Sequence, residues 1–410
     1  AQVPRKAQPA VGSMAAAVAS MASRRMGRAA ATPLLSWSAR SARSARSARA
    51  APVTSLSLTT AAPRRHLGLW TPPPKWSTHQ NMHAIRPDSI SASALDLEEI
   101  DEGLFRAPAS ILWVPAGGIG VFGGQVIGQA LHAATLCTPQ EYDLHSLHSY
   151  FLRAGQPTLP IIYTVKKTRD GRSFMTRSVE AIQQGKVIFK MQASFQKVEE
   201  SILDHQPTMP DCPQPDELPP SDYEGDLQAL LDDPALSDDM RRKIRRAMAH
   251  PYPIETKRVT PLLRNTKGPG AIFSHEPTDA RQLFWMRTTR PLPVDPNLHR
   301  AVAAYYSDHS LLTTALLPYG ICFPSPRLNI LASLDHSMWF HSPFRADEWM
   351  LYECESPRAC GGRALSFGRL YKQDGTLAVS TAQEGVIRVK SDGTVEVGDT
   401  EVTEVPEPGR

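Results

Sequence analysis

The first 87 residues contain no Asp or Glu, although Lys or Arg occurs 13 times among them. This acid-free segment is rich in Ala, Ser and Arg, a composition typical of a mitochondrial transit peptide. A cationic leader of this kind is attracted to a negative membrane surface. A disordered tail and a nucleic-acid-binding arm are the alternatives. We interpret residues 1–87 as a disordered basic targeting leader, exclude them from the fold and expect a mitochondrial protein.

Three further absences exclude whole classes of protein. No run of about 18 apolar residues occurs, so we expect no stable membrane insertion. The five cysteines lack CxxC spacing, which argues against a metal site or a disulfide framework. No Gly-x-Ser-x-Gly nucleophile elbow is present either, so a covalent serine intermediate is not indicated. The sequence implies no metal, no organic cofactor and no nucleic-acid partner.

Two periodic patterns alternate in the remaining chain, which carries 32 basic and 41 acidic residues. A helix of small and apolar residues is predicted from Gly124 to Pro139, after a strand near 103–106. Alternating strands then follow, with hairpin turns at Asp170-Gly171 and Gln184-Gly185. A buried helix followed by an antiparallel meander indicates an α+β domain whose helix lies on one face of the sheet.

The same order of elements recurs in the second half, where a helix is predicted over 298–318. Phe340 lies 189 residues after Phe151, and Gly375 lies 190 residues after Gly185. Landmarks at nearly one offset indicate an internal duplication. The predicted organisation is a leader (1–87), an N-terminal domain (88–200), a Pro/Asp-rich linker with one short helix (201–251), a C-terminal domain (252–395) and a tail (396–410).

Five segments spread over both halves carry a family resemblance. They are GLFRA (103–107), VFGGQVIGQAL (121–131), HSLHSYFLRAG (145–155), LDHSMWFHSPF (334–344) and STAQEGVIR (380–388). Together they resemble the acyl-CoA thioesterase II family, the TesB-like double hotdogs. The resemblance implies an α+β double hotdog fold, meaning two helix-wrapping antiparallel sheets in tandem. It also implies hydrolysis of fatty acyl-CoA to fatty acid and CoA, and a homodimer or higher homo-oligomer.

The resemblance also implies the catalytic residues, which are Asp308, Ser333 and Gln383. Hydrolysis needs a base for the attacking water, groups that orient this water and donors for the oxyanion. Asp308 is the expected base, while Ser333 and Gln383 orient the water. Backbone N–H groups at Gly123 and Gly124, near the start of the first helix, are the expected oxyanion donors.

Other interpretations of these residues stay open at this point. Asp308 is also suited to cap a helix, and Ser333 to be an ordinary strand hydroxyl. Asp335 and His336 suggest a Ser-His-Asp triad, but adjacent strand residues face opposite sides of a sheet, so we interpret His336 as structural. The GxGxxG pattern at 118–123 precedes an antiparallel meander rather than βαβ units, which argues against a dinucleotide site.

Two other functions and a second location are compatible with the sequence. A hotdog-type enoyl-CoA hydratase would use an acid paired with a His, and a non-catalytic acyl-CoA-binding protein would keep the pocket without turnover. The chain ends Pro408-Gly409-Arg410 rather than in an SKL-type signal. The peroxisomal matrix is kept as the alternative to a mitochondrial location, although this SKL-type signal is missing.

Overall fold

The computed structural model describes residues 94–118, 120–219, 223–249, 252–261, 265 and 270–390. The predicted leader and C-terminal tail lie outside these residues. No helix among the described residues is long and apolar enough to span a membrane. The first half comprises β1 (Glu98–Asp101), β2 (Leu104–Ala107), α1 (Gly123–Leu136), β3 (Tyr142–Phe151), β4 (Ile161–Asp170), β5 (Phe174–Gln183) and β6 (Lys186–Lys197).

Two helices connect the halves, and the second half then repeats the first. The connecting helices are α2 (Tyr223–Asp232) and α3 (Asp238–Met248). The second half comprises β7 (Ile254–Arg258), β8 (Arg281–Thr288), α4 (Pro296–Ser307), β9 (Leu328–Ser333), β10 (Asp335–Phe340), β11 (Met350–Cys360), β12 (Arg363–Lys372) and β13 (Leu377–Val389).

The described strands form one antiparallel sheet, in which equivalent strands of the two halves follow each other in the same order from each edge to the centre. Its order is β1-β2-β4-β5-β6-β3-β10-β13-β12-β11-β8-β7, and β9 pairs with β13. Apart from β9, each half contributes six strands, which are connected in the same sequence, and one long helix packs on the inner face of each half. The predicted α+β double hotdog fold is therefore confirmed. Joining the halves side by side also pairs two strand edges that would otherwise be open.

The junction between β3 and β10 contains a local two-fold axis. In its register His148 lies opposite Ser337, and His148 Nδ1 lies 3.1 Å from Ser337 Oγ. These residues are 189 positions apart, which is the offset between Phe151 and Phe340. The paired residues therefore occupy equivalent positions in the two halves. This register supports the duplication predicted from the sequence.

Helices α1 and α4 approach each other closely because α1 carries glycines on the contact face. A Cβ atom on Gly124 would lie 2.0 Å from the Tyr305 carbonyl oxygen. A Cβ atom on Gly128 would lie 2.9 Å from the Ala301 carbonyl oxygen. The small residues in α1, which the sequence placed in a closely packed helix, thus allow backbone-to-backbone contact.

The helix predicted over 298–318 is wrong in its length. The α-helix ends at Ser307, and residues Leu312–Tyr319 form a separate 3-10 helix. Ser310, between them, has a φ of +61°, which a continuing α-helix does not accommodate. Its carbonyl accepts hydrogen bonds from the Thr313 and Thr314 hydroxyls. The break leaves Asp308 at the C-cap of α4.

The connecting segment is more structured than the sequence suggested. The predicted basic helix is present as α3, with the Ser237 hydroxyl accepting a hydrogen bond from the Met240 N–H. Helix α2 was not predicted. Apolar residues from both helices pack with Ala116 and Phe273 in a small buried cluster, and the helix residues in it include Leu227, Leu230, Leu231, Ile244 and Ala247. The domain boundaries around this segment stay a prediction.

We expect the variant Gly128→Ala to lower the free energy of unfolding by about 1–3 kcal/mol, because the added methyl group meets the backbone of α4. Urea unfolding followed by circular dichroism measures this loss. An unchanged midpoint would mean that the helix contact relaxes freely.

Candidate active site

Asp308 lies where the end of α4 meets the start of α1. Its Oδ2 accepts a hydrogen bond from the Gly124 N–H at 2.9 Å, and its Oδ1 accepts one from Gln383 Nε2 at 2.7 Å. The Ser333 hydroxyl lies 3.3 Å from Oδ1 and donates to it. The preceding carbonyl, of Ser307, accepts a hydrogen bond from the Tyr352 hydroxyl. The carboxylate is therefore held from both halves of the chain.

A β-bulge turns Ser333 toward this carboxylate. Ser333 lies opposite Gly385 and Ser337 lies opposite Ala382, so the three residues 334–336 lie opposite only two, Gln383 and Glu384. The Leu334 N–H donates to the Glu384 carbonyl, and Asp335 Oδ1 accepts a hydrogen bond from the Glu384 N–H. Because of this extra residue, positions 333 and 336 face the same side of the sheet.

Gln383 lies on β13 beside the bulge and is fully buried. Its Nε2 donates to Asp308 Oδ1 and to Ser333 Oγ. The structure thus brings together Asp308, Ser333 and Gln383, the residues that the family resemblance implied. Their catalytic roles stay a prediction.

Gly123 and Gly124 open α1 and face the same carboxylate. A Cβ atom on Gly123 would lie 2.7 Å from Asp308 Oδ2, so no larger residue fits there without displacing the acid. The Gly124 N–H is bonded to Asp308, which makes this amide a positioning group in the present structure. The positive end of the α1 dipole also points at the carboxylate.

The protein environment shifts the acid-base properties of Asp308. Burial raises the pKa of Asp308 to about 6, while hydrogen bonds from Gln383, Gly124 and Ser333 oppose this rise. The residue as a whole nevertheless keeps partial exposure. A carboxylate with a pKa near 6 is ionised at neutral pH and is more basic than an ordinary Asp, so it suits general base catalysis.

The Ser-His-Asp alternative does not match the geometry. Asp335 bonds the bulge backbone, whereas the His336 ring is buried and its Nε2 lies 2.9 Å from Ser307 Oγ. Burial lowers the pKa of His336 to about 4, so the ring is neutral. The sequence-based expectation that Asp335 and His336 do not pair agrees with these contacts.

Among the described residues of the first half, no copy of this cluster occurs. The offset between the halves maps Ser333 to Leu144 and Gln383 to Ala193, and both are buried apolar residues. A register shift between Leu144 and Ser146 is the counterpart of the bulge at Leu334. The bulge thus belongs to the duplicated scaffold, whereas the polar groups occur in the second half.

Family models match both halves of the chain. A model described as acyl-CoA thioesterase matches residues 272–386, and one described as acyl-CoA thioesterase N-terminal domain matches residues 111–196. Human acyl-coenzyme A thioesterase 8 is 47% identical over 302 residues, which cover 73% of this chain and 89% of that protein. The chain belongs to the acyl-CoA thioesterase family.

A more distant relative and a solved structure agree with this assignment. The peroxisomal acyl-coenzyme A thioester hydrolase 1 of Saccharomyces cerevisiae is 26% identical over 73% of this chain and 97% of its own length. The crystal structure of acyl-CoA thioesterase II TesB2 from Mycobacterium marinum is 36% identical, with a TM-score of 0.55 over 73% of this chain and 99% of that chain. The acyl-CoA thioesterase family thus accounts for both halves and for their TesB-like fold.

The raised pKa of Asp308 predicts that this residue destabilises the folded protein at neutral pH. With a folded pKa of about 6 against an ordinary 3.8, the ionised carboxylate costs about 3 kcal/mol. This cost is complete above pH 6 and absent below pH 3.8. We expect Asp308→Asn to be more stable than wild type at pH 8, by a margin that shrinks as the pH falls toward 4.

Denaturant unfolding of both proteins between pH 4 and pH 8 measures this margin. Asp374→Asn serves as a control of opposite sign, because hydrogen bonds that its carboxylate accepts from Thr376 lower the pKa of Asp374 to about 2. A stability difference between Asp308→Asn and wild type that is independent of pH would contradict the raised pKa of Asp308.

Proposed function

We propose that the site hydrolyses fatty acyl-CoA thioesters and that Asp308 is the general base. The observation that carries this proposal is a carboxylate with a pKa near 6, held by an amide, a hydroxyl and a helix N-terminus. Asp308 takes a proton from a water molecule, whose oxygen attacks the thioester carbonyl carbon. The tetrahedral intermediate then collapses with cleavage of the C–S bond. CoA leaves as a thiolate, which takes up the proton, and the fatty acid remains.

Ser333 and Gln383 orient the water in this proposal. Both side chains already point at Asp308 Oδ1, so a water bound to that oxygen has a hydroxyl and an amide beside it. Fixing its direction lowers the entropic part of the barrier. No covalent acyl-enzyme is required.

The start of α1 supplies the oxyanion site in this proposal. The Gly123 N–H is the donor that we assign to the developing oxyanion, and the Gly124 N–H holds the base. The positive end of the α1 dipole favours negative charge at the same place. Glycine at both positions permits the close approach of Asp308.

The competing functions have less support from these contacts. A hydratase of the hotdog type needs an acid and a His at the substrate, whereas His336 is buried, neutral and bonded to Ser307. A non-catalytic binding protein has no use for a buried carboxylate with three donors, since an ionised buried group is costly to keep. Both considerations favour thioester hydrolysis.

Location and assembly are further parts of the proposal. The acid-free composition of residues 1–87 supports a mitochondrial location, and the name of the yeast relative supports the peroxisomal alternative. Fluorescent fusions with and without residues 1–87 distinguish the two. A homodimer or larger homo-oligomer, as the resemblance implies, is measured by light scattering on the purified protein.

We expect the full chain to release free CoA thiol from acyl-CoA substrates of two to eighteen carbons, with a maximum at one chain length. Asp308→Asn should retain acyl-CoA binding and lose at least about 100-fold in kcat. Asp335→Asn is the matched control, because its amide oxygen can still accept the Glu384 N–H. Unchanged turnover in Asp308→Asn would remove Asp308 from the mechanism, and binding without turnover in wild type would favour the binding protein.

The pKa of Asp308 also predicts the pH dependence. Only the carboxylate accepts a proton, so kcat/KM should rise with pH through about 6 and level off above it. In Gln383→Ala the carboxylate loses a donor, so the acidic limb should move to higher pH. Thiol release measured between pH 4.5 and pH 8 tests both statements. A limb that stays in place in Gln383→Ala would contradict this role of the amide.

A further inference from the structure

His336 lies directly across the sheet from the proposed catalytic amide. The first pair of the β10–β13 ladder is Ser337 with Ala382, and extending this register by one residue places His336 opposite Gln383. Both side chains are 0% exposed. Cross-strand neighbours on one face of a sheet lie within contact distance, so the imidazole and the amide face each other inside the protein.

Each of these side chains has one polar atom without a partner among the described residues. These atoms are His336 Nδ1 and Gln383 Oε1. Buried polar atoms are almost always hydrogen-bonded, so two unpaired atoms on facing residues call for a common explanation. An amide oxygen is an acceptor only, and a neutral imidazole nitrogen donates when it carries the proton.

The contacts of the ring on its other side are compatible with that proton. His336 Nε2 lies 2.9 Å from Ser307 Oγ, and the same hydroxyl lies 3.0 Å from the Ala304 carbonyl. If the hydroxyl donates to Ala304, Nε2 carries the proton and a lone pair on Nδ1 faces the Gln383 side chain. If the hydroxyl donates to Nε2, the proton is on Nδ1. Only in the second arrangement can His336 Nδ1 donate a hydrogen bond to Gln383 Oε1.

The acid-base behaviour of the ring agrees with an acceptor beside it. Burial lowers the pKa of His336, and the Gln383 side chain opposes that shift. A neighbouring group raises the pKa of an imidazole when it accepts a proton from it. Because Gln383 Nε2 is directed at Asp308 and Ser333, the oxygen is the end of the amide that is left for the ring.

We propose that His336 is a positioning residue that acts through Gln383: its Nδ1–H donates to Gln383 Oε1 and thereby fixes the orientation of the amide. The two ends of a glutamine amide have nearly the same shape, so packing alone does not select one of them. A reversed amide would turn an oxygen toward the Asp308 carboxylate. The His336 bond keeps Nε2 directed at Asp308 and Ser333. The inference rests on the proposed function, because it assigns the support of a proposed catalytic residue.

Kinetics of two variants test the inference. Asn places its amide nitrogen close to the position of Nδ1, so His336→Asn keeps a donor for Gln383, whereas His336→Leu removes it. We expect His336→Leu to lose about 10- to 100-fold in kcat with KM changed less than about twofold, since misplacement of a catalytic group affects the chemical step. His336→Asn should stay within about threefold of wild type in kcat.

His299→Leu, at another buried histidine that bonds the Ala346 N–H, controls for the loss of a buried imidazole. Equal losses of kcat in His336→Asn and His336→Leu, with both folded by circular dichroism, would overturn the inference. So would wild-type turnover in His336→Leu.

Nitrogen-15 NMR of histidine-labelled wild-type protein tests the hydrogen bond without any turnover. We expect the His336 ring to be neutral and protonated at Nδ1. Its signals are assigned because they are absent from the spectrum of His336→Asn. The His336 Nδ1 resonance should shift in Gln383→Ala. A ring protonated at Nε2 would overturn the inference. If wild type released no thiol, the proposed function would fail, while the NMR result would still decide whether His336 holds the amide.

Discussion

The close approach of α1 and α4 at Gly124 is the contact on which the site depends. It brings the N-terminus of one helix to the C-cap of the other, so that a backbone N–H of the first half reaches the Asp308 carboxylate of the second. With a Cβ atom at position 124 the two backbones could not meet in this way. The partial positive charge of the α1 terminus then offsets part of the cost of burying the acid.

The two similar halves contribute different groups to the site. The first half contributes a helix terminus, and its positions equivalent to Ser333 and Gln383 are filled by Leu144 and Ala193 in the core. The second half contributes the acid, the hydroxyl and the amide. Each half is thus incomplete as a site, although each contributes a full set of strands to the sheet and its own helix.

The repeated order of elements was predictable because the periodicity of the sequence changes from helical to alternating after the helix of each half. It predicted the cluster of Asp308, Ser333 and Gln383 through motifs rather than geometry. Two features that shape the cluster were not predictable from periodicity. The alternation rule assumes a constant register, so it conceals the bulge at Leu334. The end of α4 at Ser307 was missed because apolar residues continue to Pro318 in the 3-10 helix that follows. Helix α2 was missed because its leucines lie in a Pro- and Asp-rich segment.

The pairing of His148 with Ser337 has a consequence for how the site is assembled over time. Within each half the meander joins strands that are close in sequence, whereas β3 and β10 join residues 189 positions apart. Contacts of such long range form late, because the chain between them must first be ordered. The halves can therefore gain their sheets before they dock, and the junction of Gly124 with Asp308 is completed only on docking. We therefore expect the contact between Gly124 and Asp308 to form only when the halves dock and to be lost when they separate.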